Sequence, residues 1–453
     1  MKNDKKKTVD VDITSTVFPN IGVGIAENGK EYQVKGALKG SNVEVKPGNK
    51  KRGIIQGKLV SVIKDSYLLT EKGCVHKDKC GGCSYQGMDA EVENQYKKEQ
   101  VQALMEAQGI KLEEWELVGS PQVETYRNKM EYTFGDEYKG GPLSLGLHQR
   151  GRYHDILPTP NCLIVHEDMN KVREAIMEFA SDSGLPHYHR MSHEGFYRHA
   201  VIRRSHSTGD ILVNLVTTTK GMLDVESLLE KLLTTALEGK VRGVLHTEND
   251  ALSDAIIPQN VKIIYGEDRL EEVLHGIEFS LSSYAFFQTN TESAEVLYGI
   301  VGDWAGKGNH ELILDLYSGT GTMAMLMADR AKKVLGIEIV EDAVKRAKET
   351  AEKNGLSHVE FICGDVKDVV AQLDEKPGLA IVDPPREGMH PKALEWLASS
   401  GINQIIMVSC NPKTMARDLA VMQDVGYEIK NFIGVNQFPR TVHVECVALL
   451  SRE

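Results

Sequence analysis

Hydrophobic and polar positions follow three different patterns along the chain. Residues 9–13, 31–34, 41–45 and 54–63 alternate, and Gly22, Gly24, Gly29, Gly40, Pro47 and Gly48 punctuate them, which predicts a small all-β barrel. Residues 89–108 are charged, rich in helix formers and free of glycine and proline apart from Gly87 and Gly109 at their borders, which predicts one helix. Strand-like alternation returns over 126–134, 143–154 and 199–216, so the middle of the chain reads as α+β. From about Ile277 the pattern becomes regular α/β, with strands at 312–316, 334–339, 359–363, 379–382 and 404–409. Helices follow at 323–330, 341–354, 391–398 and 412–424, and 427–435 with 443–450 closes the region as an antiparallel pair. The fold class expected is α/β, a doubly wound sheet preceded by an OB-like barrel and an α+β segment. The segments are 1–65, 66–276 and 277–453, and the last of these is the candidate packing partner of the helix 89–108.

The continuous apolar runs of this last segment are those of strands buried on both faces, and their carboxyl ends are where open α/β sheets place ligands. Five such ends carry Asp315, Glu338, Asp365, Asp383 and Cys410. Alone, Cys410 reads first as a small buried hydrophobe; beside four acids at equivalent positions it reads as a nucleophile, and Asn411 and Pro412 end its strand in a rigid turn. The turn DLYSGTG, from Asp315 to Gly321, lets a ligand approach closely, and Glu338 lies where an acid accepts ribose hydroxyl bonds. That much also fits a nicotinamide dinucleotide. The third glycine of that fingerprint is missing, however, and no second mononucleotide half follows, so S-adenosylmethionine fits better, with Asp365 reaching the adenine amino group.

Asp383-Pro384-Pro385-Arg386 resembles the DPPY-type motif of enzymes that methylate exocyclic amines, but Arg386 stands in the aromatic place. With a cysteine on the next strand, this points to methylation of a pyrimidine ring carbon. Carbon 5 of uracil is a poor nucleophile until a thiolate adds to carbon 6, and a base must then remove the carbon 5 proton. Glu445 begins the final strand, and if that strand is antiparallel its start lies on the edge that carries Cys410.

Composition and charge change the picture in two places. Over the whole chain the net charge is -12, yet residues 1–65 hold 13 Lys+Arg against 7 Asp+Glu, a basic module on an acidic body. Lys46, Lys50, Lys51 and Arg52 crowd one loop of it, either as a solvated loop or as an RNA-binding face. Seven cysteines without a secretory signal argue for thiols that ligate or react rather than for a disulfide framework. Cys74, Cys80 and Cys83, with Cys162 downstream, suit a metal site. Zinc is the default, with His76 or His166 as substitutes, and an iron-sulfur cluster suits the spacing as well. Arg127, Lys129, Arg150, Arg152, Arg198, Arg203 and Arg204 recur among Tyr126, Tyr132, Tyr153 and Tyr197, as single-stranded RNA or a solvated sheet face would require. The histidines from His187 to His206 are spaced too irregularly for a metal site and read mostly as surface residues. No apolar run of about 18 residues exists, and the lysine-rich start (Lys2, Lys5, Lys6, Lys7) is not followed by an apolar core, so a cytoplasmic protein without a membrane partner is expected.

The opening IGVGIAENGKEYQVKGALKGSNVEV resembles the TRAM domain of RNA-modifying enzymes. SYAFFQTN, DLYSGTG, VDPPREG, VSCNP and HVECVALL, with the four cysteines, resemble the bacterial 23S ribosomal RNA (uracil-5-)-methyltransferases over nearly the whole chain. The resemblance implies a Rossmann-like class I methyltransferase domain behind a TRAM barrel and a cluster-bearing central domain, acting as a monomer on 23S ribosomal RNA, with tRNA the alternative substrate. It implies Cys410 as nucleophile and Glu445 as proton acceptor. Gln288, Tyr317, Glu338 and Asp383 match cofactor-binding positions, Tyr317 standing where phenylalanine also occurs. Cys74, Cys80, Cys83 and Cys162 match ligands of a 4Fe-4S cluster. An electron-transfer protein or a non-catalytic RNA-binding factor are the competing classes; complete catalytic motifs disfavour the second, and redox-neutral methyl transfer has no use for the first.

Overall fold

The computed structural model describes residues 8–70, 72–307, 310–373 and 375–452, so the lysine-rich start lies outside the described residues. The chain forms two compact units: Met1–Lys77 with Cys83–Ser120 and Val366–Glu453, and Asp78–Gly82 with Pro121–Asp365.

In the first unit, Val9–Val17, Ile21–Ala26, Glu31–Lys35, Asn42–Lys51 and Ile54–Lys64 close into a barrel, the fifth strand lying between the third and the fourth. Alternation fills it with Val11, Ile13, Tyr32, Val34, Val43 and Val45. Ile21–Ala26 is a strand that the alternation analysis passed over, because Gly22 and Gly24 read as turn punctuation. They are there for close approach instead. A Cβ on Gly24 would stand 2.1 Å from the Asp12 carbonyl oxygen on the paired strand, and one on Gly22 would stand 2.6 Å from that of Ala37.

The rest of this unit is α/β. Leu379–Val382 and Gln404–Ser409 run parallel; Glu445–Ser451 and Glu428–Val435 follow antiparallel, and Glu116–Val118 pairs parallel with the last of these. The helix Ala90–Glu106 buries Glu93, Tyr96, Lys97, Gln100, Val101 and Met105, so half of its buried face is polar, and an amphipathic stripe was not there to be seen. Tyr96 donates to Thr16 of the barrel at 2.5 Å, and Glu93 and Lys97 form a buried ion pair at 2.8 Å.

In the second unit seven strands run in the order Asn260–Gly266, Val241–Glu248, Ile211–Thr217, Tyr197–Arg204, Lys129–Asp136, Leu143–Gln149, Arg152–Pro158. The stretch 143–154, read as one strand, is a hairpin that turns at Arg150 and Gly151, the glycine having a φ of 73°. Several of the basic and aromatic groups read as facing RNA or solvent here are structural. Arg198 donates to the carbonyls of Asn249, Ala251 and Ser253; Arg203 donates to Ala285; Arg204 meets Asp168 at 3.3 Å; and Tyr132 and Tyr197 are buried. Arginine carries five donors, so a sheet edge with several carbonyls can bury it fully, and spacing along a strand does not show which face it takes. His199, expected at the surface, is also buried, and burial lowers its pKa to about 4. Arg150, Arg152 and Tyr153 stay exposed at the hairpin. The unit ends in parallel strands His310–Leu316, Ala331–Glu338 and Val359–Cys363, connected through Thr322–Leu326 and Glu341–Lys353.

Replacing Gly24 with Ala should therefore force the first two barrel strands apart at the Asp12 carbonyl. The expected cost is about 1–3 kcal/mol, read as a lower denaturation midpoint with loss of amide exchange protection in the barrel; unchanged protection would show that the strands accommodate the methyl group.

Candidate active site

The strand Gln404–Ser409 is paired on both sides, Met407 with Val382 in parallel and Ser409 with Cys446 antiparallel. Asp383 and Cys410 thus follow the carboxyl ends of neighbouring strands. One further step of the antiparallel ladder sets Cys410 opposite Glu445, and residues directly opposite share a face of the sheet. The edge inferred for Glu445 is the edge it occupies.

The local chain holds this arrangement firmly. Asn411 caps the helix Pro412–Asp424 by accepting from the Lys413 N–H at 3.2 Å, with Pro412 in the first turn, where no amide hydrogen is needed. The Asn411 side-chain amide also donates to the Arg386 carbonyl at 2.8 Å, and Thr414 donates to the same oxygen at 3.4 Å. Asp418, buried on that helix, accepts from the Met389 N–H at 3.1 Å. One helix therefore clamps the whole turn that follows Asp383. The Arg386 guanidinium lies near enough to Cys410 for its charge to favour the thiolate. Sequence reasoning marked Arg386 only as a departure from an aromatic motif; a basic residue next to a cysteine-bearing strand was the available signal.

Three acids are packed together here. Burial pushes the Asp383 carboxyl up to about 7. Burial, then the Asp383 charge, pushes Glu445 up to about 8, against the pull of Arg386. Burial, then Glu445 and Asp383, pushes the Cys410 thiol up to about 11, while the charge and hydrogen bond of Arg386 oppose them. The resting site thus holds a protonated thiol beside carboxyls that titrate near neutrality, with one guanidinium as the favourable charge for either anion.

The other unit holds most of the residues expected to bind the cofactor. Tyr317 adopts a φ of 66°, and Gly319 and Gly321 follow at 55° and 79°. A Cβ on Gly319 would meet nothing within 4 Å, so the space before this turn is open, whereas one on Gly321 would strike Phe361 at 2.5 Å. Glu338 receives the N–H groups of Gly319 at 3.0 Å and Val340 at 2.9 Å, which fixes its carboxylate at the strand end. Asp365 follows Gly364, whose N–H donates to the Glu338 carbonyl at 2.9 Å. Gln288 is held through its carbonyl by Asn128 at 3.2 Å, two residues before Asn290 caps the helix Thr291–Ala305. An open, glycine-turned strand end with a fixed acid on the next strand fits a nucleoside.

For the cysteines, Cys74 and Cys83 belong to the first unit, Cys80 and Cys162 to the second. Cys74 sulfur accepts the His76 N–H at 3.4 Å, Cys80 that of Gly82 at 3.3 Å, and Cys83 the Gln86 amide at 3.7 Å. Cys162 is gripped through its backbone by the Asn170 side chain at 3.0 and 3.2 Å. N–H donors directed at sulfur favour thiolates, so the donor chemistry suits ligation. Among the described residues, however, no group of three or more Cys, His, Asp or Glu has the geometry of a metal site.

A strand-end cysteine beside a glutamate in one unit, and a nucleoside-type turn in the other, are features that suit a methyltransferase. The chain belongs to the tRNA (uracil-5-)-methyltransferase family, whose profile matches residues 210–453. It is an RNA (uracil-5-)-methyltransferase, an enzyme class that takes its methyl group from S-adenosylmethionine. An uncharacterized RNA methyltransferase of Caldanaerobacter subterraneus subsp. tengcongensis is 42% identical over 451 residues, 99% of each chain. Another, of Clostridium tetani, is 39% identical over 450 residues, 99% of this chain and 98% of its own. The crystal structure of Pyrococcus abyssi tRNA (uracil-54, C5)-methyltransferase in complex with S-adenosyl-L-homocysteine shares the fold, with a TM-score of 0.77 at 23% identity over 97% of this chain and 100% of that one. No helix among the described residues is long and apolar enough to cross a membrane.

The raised Glu445 has a consequence for stability. Below pH 4.5 both the folded and the unfolded chain keep its proton; between 4.5 and about 8 only the folded chain does, so stability falls as pH rises through this window. Glu445→Gln, which cannot ionise, should therefore raise the melting temperature by an amount that grows from pH 5 to pH 8 and then levels off. A gain independent of pH would mean that Glu445 is already ionised in the folded enzyme.

Proposed function

We propose that the enzyme methylates carbon 5 of uridine in 23S ribosomal RNA through a covalent adduct between Cys410 and carbon 6. The observation that carries this reading is Cys410 set beside Glu445 at one end of the paired strands, with the Arg386 charge acting on the thiol. Cys410 first gives its proton to solvent and then bonds to carbon 6 as the thiolate, and the Arg386 guanidinium offsets the charge that burial makes costly. Carbon 5 becomes nucleophilic as a result. S-adenosylmethionine supplies the methyl group, and Gln288, Tyr317, Glu338, Asp365 and Asp383 are the residues assigned to hold it. Glu445 then removes the carbon 5 proton, and the sulfur departs with the electrons of its bond to carbon 6. A base whose pKa lies near 8 suits this task, since it accepts a proton readily and still ionises close to neutral pH.

Transfer RNA is the second reading, favoured by the description of the matched family and of the structurally similar Pyrococcus enzyme. For the accessory site, the reading is a 4Fe-4S cluster held by Cys74, Cys80, Cys83 and Cys162, supported by the donors that face three of these sulfurs. When bound, such a cluster would crosslink segments far apart in sequence, and the redox-neutral methyl transfer draws no electron from it. The reading includes a cytoplasmic enzyme that acts as a monomer.

Cys410→Ala should abolish methylation while RNA and S-adenosylmethionine still bind. Wild-type enzyme should be trapped on RNA containing 5-fluorouridine, whose fluorine cannot leave as a proton, and Glu445→Gln should stall on ordinary RNA as a methylated covalent complex. Methylation surviving in the alanine variant, or an adduct mapped to another residue, would sink the assignment. Mapping 5-methyluridine in ribosomal and transfer RNA from a deletion strain separates the two substrates. For the cysteines, Cys80→Ser should lower stability and RNA affinity but leave S-adenosylmethionine binding intact; a turnover rate that switches with redox state at constant RNA affinity would instead give the site an electronic role.

A further inference from the structure

The nine residues that precede Glu445 form a loop between Glu428–Val435 and Glu445–Ser451, and its fixed points are unusual. Glu93, fully buried on the helix Ala90–Glu106, accepts from the Lys97 ammonium at 2.8 Å, the Asn436 amide at 3.1 Å, the Arg440 N–H at 2.9 Å and the Arg440 guanidinium at 3.2 Å. That gives one carboxylate four donors, about as many as its oxygens can accept. Lys97, equally buried, donates in turn to the Asn436 side chain at 2.6 Å and the Phe438 carbonyl at 3.3 Å. Arg440 is held in the left-handed region, at a φ of 67°, and its carbonyl accepts the N–H groups of Ser84 at 2.7 Å and Tyr85 at 3.0 Å, immediately after Cys83. From Arg440 the chain reaches Glu445 through two further bonds: Thr441 to the Phe438 carbonyl at 2.7 Å and the His443 N–H to the Thr441 hydroxyl at 3.2 Å.

A buried ion pair contributes little net stability compared with an apolar pair of the same shape, so its presence calls for another explanation, such as the fixing of one geometry. Both ions here spend their hydrogen bonds on a single loop. We propose that Glu93, Lys97 and Arg440 are positioning residues for the second half of the reaction, holding Glu445 where the carbon 5 proton emerges. The inference rests on Glu445 being the base. Cys410 and Arg386 are held by a different helix, so the knot governs proton removal and leaves the attack of the thiol on carbon 6 untouched.

The test uses the full chain in two variants. Arg440→Lys keeps the charge but loses the guanidinium whose single Nη1 donates to both Glu93 and the Met88 carbonyl. Glu93→Gln with Lys97→Met removes the buried ion pair together and leaves Arg440 only the amide oxygen of the new glutamine in place of its carboxylate. On 5-fluorouridine RNA, adduct formation reports attack and methyl transfer alone, and it should stay within about twofold of wild type. On ordinary RNA, turnover should fall about tenfold or more, with a methylated covalent complex accumulating. If both rates fall in parallel, or if neither changes in a folded variant, the proposal is overturned. Should the double variant fail to fold, Arg440→Lys decides alone, and loss of folding in that variant too would make the knot purely structural and overturn the proposal. Glu445→Gln serves as the control: if it accumulates no methylated complex, it is the base assignment that has failed and not the coupling.

Discussion

The arrangement depends on one register. Glu445 faces Cys410 because Ser409 pairs with Cys446, and the period of a strand is two residues, so a slip by one would turn the acid to the opposite face of the sheet. The register is held by an apolar interior: Val447, Ala448 and Leu450 on one strand and Ile405, Ile406, Met407 and Val408 on the other are all buried. The geometry of the candidate site is thus a by-product of hydrophobic packing. The electrostatics follow from the same burial, since a site sunk between packed strands desolvates its carboxyls and thiol and makes Arg386 decisive.

Strand ends were the most legible part of the molecule. In the strands Val359–Cys363, Leu379–Val382 and Gln404–Ser409 and the helix Pro412–Asp424, pattern and structure coincide to the residue, because continuous branched runs bounded by Gly, Pro or Asn leave few alternatives. The candidate residues Cys410, Asp383 and Glu445 follow directly, as all three sit where such strands begin or end. Less visible was anything decided by contacts remote in sequence. Ile21–Ala26 looked like a turn because its glycines are spaced for a neighbouring backbone. The helix Glu167–Ser183 went unnoticed, and Arg198 and Arg203 were taken for surface residues because the carbonyls that satisfy them belong to distant loops. The clamp of Asn411 and Thr414 on the Arg386 carbonyl lay equally beyond reach, since it joins side chains to a backbone atom 25 and 28 residues away.

Burying charge is the recurring expense of this enzyme, and the two places where it occurs treat it differently. Around Glu93 every charge has a partner, and the result is a rigid join between a helix and a loop. Around Glu445 the acids are left short of partners, and the result is a set of groups poised to change protonation near neutral pH. Rigidity and reactivity are thus separated within one unit by how completely each carboxylate is satisfied.

The short strand Glu116–Val118 adds to this unit from far away in the chain, for its partner residues are Ile433–Val435, more than 300 positions later. Trp115 packs edge-on against Phe432 at 5.1 Å, and a Cβ on Gly434 would stand 3.2 Å from its ring. Contacts of such sequence separation close large loops, which slows folding. The chain thus leaves this unit after Ser120 and returns to it at Val366, so trimming either end of the chain would strip strands or a helix from the same packed body.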